Sequence, residues 1–359
     1  MAKQLKTLKQ RMAEGSMPPP VEFKNPEECI AAYESGFEGV IYDPDSAEEC
    51  EAQQYGKFGD AARDFGLEDS GKGKLSLLYP ACWEVSGRDD WYHGGKSQPT
   101  GDCVSRGQSH AAIASLANAV QNGNGSWPEI EDKYYKSGMP WSPTATYWLK
   151  RGSVSGWSCG SAAARSKDGI GLTLAKPYSN PNIGELLCPE NYTTNTIAKY
   201  CKKGPPQDVI NDLNDHLTLT YSRTKSFDEI RDAIANGYGC ASCGSQGYGK
   251  GSSARDSNGY CKRSGSWNHS LCTIGCDDTE WAHSNYGGAL FLILNSWSSY
   301  LGSNRPKVQG RDDIPPIPKG SFWCRADSFS GRDTYVISAV TGFPQQKLRD
   351  WSERMSGLI

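Results

Sequence analysis

Residues 102–120 read Asp-Cys-Val-Ser-Arg-Gly-Gln-Ser-His-Ala-Ala-Ile-Ala-Ser-Leu-Ala-Asn-Ala-Val. Small and apolar residues recur in this stretch at helical spacing, which predicts a buried helix with Cys103 at its N-terminus. The unpaired backbone N–H groups and the helix dipole at that position stabilise a thiolate, which is the nucleophilic form of cysteine. A buried cysteine is more often inert packing, so Cys103 alone does not establish a catalytic site.

Two patterns in the C-terminal half contain the residues that a catalytic cysteine needs. His269 begins an apolar stretch that is predicted to be a strand. Asn295 follows a second apolar stretch, Phe291–Leu294, and Trp297 comes two residues later. An amide at that position can hold a histidine ring in the tautomer required of a general base, while a tryptophan shelters the hydrogen bond from water. A lone histidine at a strand start is usually structural, so these positions are informative only together.

The order of these three motifs resembles the papain family of cysteine peptidases. In that family a glutamine precedes a nucleophilic cysteine at a helix start, a histidine begins a strand, and Asn-Ser-Trp ends the next strand. The resemblance covers roughly residues 75–345. It implies that Cys103 is the nucleophile, that His269 is its base, and that Asn295 orients the base. The implied reaction is hydrolysis of a peptide or another amide through a thioester, without a cofactor.

The resemblance also implies contacts to the oxyanion and to the substrate. Gln98 would donate its amide to the oxyanion, although it lies five positions before Cys103, one closer than in the family, and Val104 stands where the family has tryptophan. A run of small residues further on is similar to the glycine-rich segment that pairs with the substrate backbone in the family. The residues implied to bind substrate are Gly160, Ser161, Ala162 and Trp297.

The predicted elements imply an α+β fold, in which a helical half and an antiparallel β-rich half flank a cleft, and the resemblance implies that this fold is papain-like. A capping box at Ser226 and Glu229 predicts a second helix, which stops at Gly237. Short apolar or alternating runs, bounded by turn residues, predict strands. They lie at 239–242, 269–275, 289–294, 321–325 and 334–340.

The chain is predicted to have three parts. Residues 1–74 form an N-terminal extension that is rich in acidic residues and ends at the glycine-containing joint Gly71–Lys74. Residues 75–345 form the peptidase domain, and residues 346–359 form a C-terminal tail. The extension is expected to be either a pro-segment that occludes the cleft or an arm that docks onto an assembly partner.

The composition limits the partners and the compartment. The net charge of −3 gives no electrostatic footprint for nucleic acid or an anionic membrane. The first residues are basic and lack the apolar run of a signal peptide, and no segment is long and apolar enough to span a membrane, so we expect synthesis in the cytoplasm. The 13 cysteines are odd in number and scattered, which favours reduced, buried thiols over a disulfide scaffold.

Two other interpretations follow from the same residues. Cys240 and Cys243 have the spacing of zinc ligands, but two positions an odd number apart on one strand face opposite sides, which argues against a metal site. The motifs Gly-Asp-Cys-Val-Ser and Gly-Cys-Asp-Asp are most similar to papain-like proteins encoded by tailed phages. That similarity leaves open a virion-associated structural, assembly or adhesion protein with a vestigial site, and a cell-wall amidase or endopeptidase.

Overall fold

The computed structural model describes residues 43–89, 91–92, 98, 101–127, 156–166, 200–201, 203–214, 220–297, 300–302 and 304–352, with a few single positions that include Gly39 and Val40. Most of residues 1–42, and residues 353–359 of the predicted tail, lie outside the described residues.

The helices of the described residues are mostly one or two turns long. They are α1 (Pro44–Glu51), α2 (Phe58–Asp64), α3 (Tyr79–Ser86), α4 (Cys103–Gln121), α5 (Cys159–Ser166), α6 (Gln207–Asn214), α7 (Phe227–Ala235), α8 (Glu280–Tyr286) and α9 (Ala326–Phe329). The N-cap predicted for α7 is present, because Ser226 Oγ accepts from the main-chain N–H of Glu229 at 3.2 Å. The Glu229 carboxylate accepts at 2.7 Å from the main-chain N–H of Lys225, the residue before the cap, rather than from that of Ser226.

The strands form one antiparallel sheet. They are β1 (Leu75–Leu77), β2 (Thr220–Thr224), β3 (Cys240–Tyr248), β4 (Arg263–Asp277), β5 (Leu290–Leu294), β6 (Ser321–Arg325) and β7 (Asp333–Ser338). Their order is β2-β7-β3-β4-β5-β6, and β1 pairs with β4. Helices on such a sheet confirm the α+β class expected from the sequence.

Helix α4 crosses this sheet on a row of small side chains spaced one helical turn apart. A Cβ atom on Gly107 would lie 2.7 Å from Ser270 Oγ in β4, so a side chain here would force the serine hydroxyl to move. Two turns later, Ser115 Oγ donates to the main-chain oxygen of Ile337 in β7 at 2.7 Å. The helix therefore lies directly on the strands, and its residues from 103 to 119 are all buried.

The described part of the N-terminal extension packs into the same core. Phe58 is fully buried and meets Phe343 edge to face, with ring centroids 5.2 Å apart. Asp69 pairs with Arg231 of α7 at 3.1 Å. The core thus reaches N-terminally beyond the boundary predicted at residue 74, because residues 43–67 bury an apolar face of their own. Among the described residues, no helix is long and apolar enough to cross a membrane.

We expect Phe58→Ala to lower the free energy of unfolding by about 3–5 kcal/mol, because it removes a fully buried ring and leaves a cavity against Phe343. Chemical denaturation of the whole chain measures this. Phe65→Ala is the matched control, since Phe65 is only partly buried and its loss should be smaller. Equal, small losses for both variants would show that residues 43–74 fold separately from the domain.

Candidate active site

Cys103 is the first residue of α4, and its side chain is fully buried. The main-chain N–H of Ser270 in β4 donates to Cys103 Sγ at 3.4 Å. On another side, the Cys103 thiol donates to the main-chain oxygen of Gly39, also at 3.4 Å. The sulfur therefore contacts the residue that follows His269 on β4, and it contacts the N-terminal extension.

The pairing of β4 with β5 brings His269 and Asn295 together. Cys272 lies opposite Leu294, and in an antiparallel pair the residues after Leu294 run back towards His269. His269 Nε2 and Asn295 Oδ1 are 2.8 Å apart. An amide oxygen can only accept a hydrogen bond, so Nε2 carries the hydrogen and Nδ1 is the basic nitrogen. This tautomer suits a base that receives the thiol proton on Nδ1.

Aromatic rings enclose this hydrogen bond. The Trp297 ring stacks on the His269 ring, with centroids 4.2 Å apart and an interplanar angle of 21°. Trp267 and Tyr300 meet Trp297 edge to face, at 4.9 Å and 5.6 Å. The rings exclude water and fix the plane of the imidazole, which strengthens the bond to Asn295. These contacts give Trp297 a part in supporting the base, and its contact with substrate stays a prediction.

Gln98 is buried next to the end of β5. Its main-chain N–H donates to the main-chain oxygen of Ser296 at 3.1 Å, and the Ser296 hydroxyl donates to Gln98 Oε1. Because Gln98 Oε1 accepts from Ser296, the Nε2 group of Gln98 points away from Ser296 and can act as a donor. A donor is what an oxyanion requires, and this role of Gln98 stays a prediction.

The segment predicted to bind substrate backbone forms the helix α5. A Cβ atom on Gly160 would lie 2.6 Å from Ser46 Oγ of α1, and Ser161 Oγ donates to Asp43 Oδ2 at 3.1 Å. Ala162 is fully buried. In the intact chain, these small residues let α5 pack against α1, so their binding of substrate stays a prediction.

Arg332 lies beside the histidine, and no sequence motif indicated it. Its buried guanidinium donates to the main-chain oxygen of His269 and, at 3.1 Å, to that of Gln246. Burial lowers the pKa of Arg332 to about 10. The residue is 63 positions from His269, in a turn before β7, and only the folded sheet brings the two together.

Burial controls the charge of His269. It lowers the pKa of His269 to about 3, the positive charge of Arg332 acts in the same direction, and the hydrogen bond with Asn295 opposes both. The ring is therefore neutral at pH 7 in the intact chain. The neutral ring is the form that accepts a proton from a thiol.

A disulfide lies close to the site. Cys159 is bonded to Cys243, and Cys159 Sγ is 3.7 Å from Ser270 Oγ. The free cysteines among the described residues are all buried, as the composition predicts. Cys159 and Cys243 differ from that prediction because they are oxidised to a disulfide. Cys243 is thus bonded to another cysteine rather than available with Cys240 as a zinc ligand. Within the described ranges, no group of three His, Cys, Asp or Glu side chains could hold a metal ion.

We expect two buried histidines to lower the free energy of unfolding in acid. Burial lowers the pKa of His110 to about 3, as it does that of His269, from an ordinary value of 6.5. Between these values the unfolded chain binds protons that the folded chain does not, so stability falls as the pH drops from 6.5 towards 3. Each histidine should contribute on the order of 2 kcal/mol to this loss by about pH 5.

Replacing His110 by Gln should remove about half of this histidine-dependent loss and make the decline below pH 6.5 shallower. Denaturant unfolding measured at a series of pH values tests this. His283→Gln, at a half-exposed side chain, is the control that removes a histidine from the surface. An acid dependence that is the same in His110→Gln as in the unmodified chain would refute the assignment.

No family model matches the sequence, and no curated protein matches it significantly. Solved structures do resemble it. Xylellain, a cysteine protease from Xylella fastidiosa, is 17% identical, with 68% of this chain and 82% of that chain covered and a TM-score of 0.42. The Amb a 11 cysteine protease of ragweed pollen, in its proform, is 15% identical, with 93% and 84% covered and a TM-score of 0.43. The proCathepsin B S9 of Trypanosoma congolense is 10% identical, with 94% and 96% covered and a TM-score of 0.44. At such low identities and TM-scores, the function has to be argued from the residues of this chain.

Proposed function

We propose that the chain is a cysteine hydrolase that cleaves peptide bonds, or another amide, through a thioester on Cys103. The observation that carries this is the His269–Asn295 hydrogen bond of 2.8 Å, stacked under Trp297, on a strand whose next residue contacts the Cys103 sulfur. Packing alone would explain a buried cysteine. It would not explain a histidine held by an amide in the tautomer that leaves Nδ1 basic.

Acylation begins when His269 Nδ1 takes the thiol proton and Cys103 Sγ attacks the substrate carbonyl carbon. The oxyanion that forms accepts hydrogen bonds from the Cys103 main-chain N–H, at the start of α4, and from the Gln98 amide. Each donor of this kind contributes about 3–4 kcal/mol in comparable enzymes. The imidazolium then protonates the leaving nitrogen, the carbon–nitrogen bond breaks, and the acyl group remains on sulfur as a thioester.

Deacylation repeats the steps with water. His269 Nδ1 removes a proton from the water as its oxygen attacks the thioester carbon, and the carbon–sulfur bond breaks when the intermediate collapses. The carboxylic acid leaves, and the thiolate recovers the proton. Asn295 keeps the ring in one orientation through both halves, because rotation of the imidazole would move Nδ1 away from the sulfur.

We further propose that the N-terminal extension occludes this site. The main-chain oxygen of Gly39 contacts Cys103 Sγ at 3.4 Å and accepts from the main-chain N–H of Trp157 at 3.3 Å. Val40 forms a parallel bridge with Trp157. A chain held there prevents a substrate carbonyl from approaching the sulfur. Since residues 43–74 belong to the core, the removable part ends near residue 42.

Two other functions fit parts of the structure. Full burial of Cys103 is also what a vestigial site would show in a phage virion protein, for which the extension would be an assembly arm. The same Cys-His chemistry could instead act on peptidoglycan, as an amidase or endopeptidase. Clearing of a cell-wall zymogram, with no cleavage of protein substrates, would favour the peptidoglycan hydrolase. Inactivity after the extension is removed would favour the virion protein with a vestigial site.

Cys103→Ala should abolish hydrolysis of a protein substrate by the activated enzyme, and His269→Ala should reduce kcat by about 10³-fold or more, because each removes a group that reacts directly. Asn295→Ala should have a smaller effect, since the ring keeps its stacking on Trp297. Cys272→Ala, at a second fully buried cysteine that lies in β4, is the control and should retain activity. Activity in Cys103→Ala would exclude the mechanism.

Removal of residues 1–42 should increase the rate at which an epoxide or iodoacetamide labels Cys103, because the contact of Gly39 with the sulfur is lost. Inserting a specific protease site after Tyr42 allows this cut to be made in the folded chain. The control is the uncut chain with the same insertion. Unchanged labelling after the cut, together with loss of assembly, would support an arm instead of a pro-segment.

A further inference from the structure

A cavity of about 550 Å³ lies beside the catalytic histidine. Asn268, the residue before His269, lines it, and so does Val40. Val40 directly follows Gly39, whose main-chain oxygen contacts the Cys103 sulfur. The N-terminal extension thus passes the sulfur and presents its next side chain to the cavity. A substrate that crosses the same sulfur would also present a side chain there.

The charged groups of this cavity are mostly cationic. Arg223, Lys225 and Arg332 line it, together with one carboxylate, Asp333. Arg223 Nε pairs with that carboxylate at 2.9 Å. Arg332 donates to main-chain oxygens and to Gln246, its Nε has no partner in the described part of the chain, and no described carboxylate lies within ion-pair distance of it. A buried guanidinium without an acid beside it favours binding of an anion.

A carboxylate of the extension already bridges two of these cations. Glu51 Oε1 is 2.6 Å from Arg223 Nη1, and Glu51 Oε2 is 2.9 Å from Lys225 Nζ. The hydrogen bond from Lys225, with that from Arg223, holds the pKa of Glu51 below its usual value. Glu51 belongs to α1, and its two partners line the cavity. Arg223 and Lys225 thus already hold a carboxylate at this side of the cavity, and Arg332 is the lining cation that has none in the described part of the chain.

We propose that this cavity binds an acidic side chain of the substrate, at the residue next to the one that lies on the Cys103 sulfur. The inference rests on the proposed function and adds its substrate class. Phe227 and Phe329 provide apolar walls for the methylene groups of a glutamate, while Arg332 and Lys225 supply donors for its carboxylate. A lysine or arginine side chain at the same position would meet cations.

The extension itself provides a test that needs no catalysis, because the side chain of Val40 lines the cavity in the full-length chain. Val40→Glu should melt at a higher temperature than the isosteric Val40→Gln by roughly 2 °C or more, and Val40→Lys should melt lowest. The difference should shrink at high salt, which screens charge. Equal melting temperatures for Val40→Glu and Val40→Gln, or a more stable Val40→Lys, would overturn the proposal.

A second pair of variants assigns the effect to the cavity. Lys225→Met should reduce the difference between Val40→Glu and Val40→Gln, because it removes a cation that lines the cavity. Lys307→Met is the matched control, since Lys307 has the same 56% side-chain exposure and is absent from the lining. An equal reduction by both variants would show only a general charge effect and would overturn the assignment.

The activated enzyme gives the corresponding result for substrates. Peptides that carry Glu at this position should be hydrolysed with kcat/KM about tenfold higher than those with Gln, because a charge-assisted hydrogen bond replaces a neutral one. Equal values for the two peptides would overturn the proposal. If neither peptide is hydrolysed, the proposed function fails, while the melting temperatures of the Val40 variants still decide what the cavity binds.

Discussion

The close approach of helix α4 to strand β4 is the constraint on which the site depends. Gly107 permits it, because a Cβ atom there would lie 2.7 Å from Ser270 Oγ. With the helix held this close, the main-chain N–H of Ser270 reaches the sulfur of Cys103 one turn earlier. The pairing of β4 with β5 then places Asn295 against His269 from the other side. A bulky side chain at 107 would press on β4 and disturb the contact between Ser270 and the Cys103 sulfur.

The structure shows the site in a closed state. Cys103 and His269 are fully buried, and the burial that keeps the ring neutral also prevents a substrate from entering. A neutral base can take a proton, but the imidazolium formed after transfer needs a better solvated or anionic environment. Displacing the chain at Gly39 and Val40 would let solvent reach the imidazolium of His269 and would expose the cationic cavity at the same time. On the proposed mechanism, the segment at Gly39 and Val40 both occludes the sulfur and lines the cavity that Arg223, Lys225 and Arg332 make cationic.

The sequence predicts the parts of this structure that depend on local patterns. Helix α4, the capped helix α7 and the strands around His269 and Asn295 follow from periodicity, capping and apolar runs. Strand β4 begins at Arg263, six residues before its predicted start, so His269 lies within the strand rather than at its beginning. Strand β2 was missed because Thr220–Thr224 is polar, and its burial comes from pairing with β7. Arg332, the Cys159–Cys243 disulfide and the packing of residues 43–74 depend on contacts between distant segments, which no local pattern encodes. The segment predicted to pair with the substrate backbone forms the helix α5, a structure that its run of small residues does not distinguish from a loop.

The most direct test of the central claim is the site of covalent modification by a peptide that carries an epoxide, applied after residues 1–42 are released and read by mass spectrometry. The proposed mechanism predicts a single adduct on Cys103, with the other cysteines unmodified, because it pairs that thiol with His269 as a base. The adduct should be absent in His269→Ala under the same conditions. Adducts distributed over several cysteines, or none on Cys103 in the released protein, would contradict the claim that these residues form a working active site.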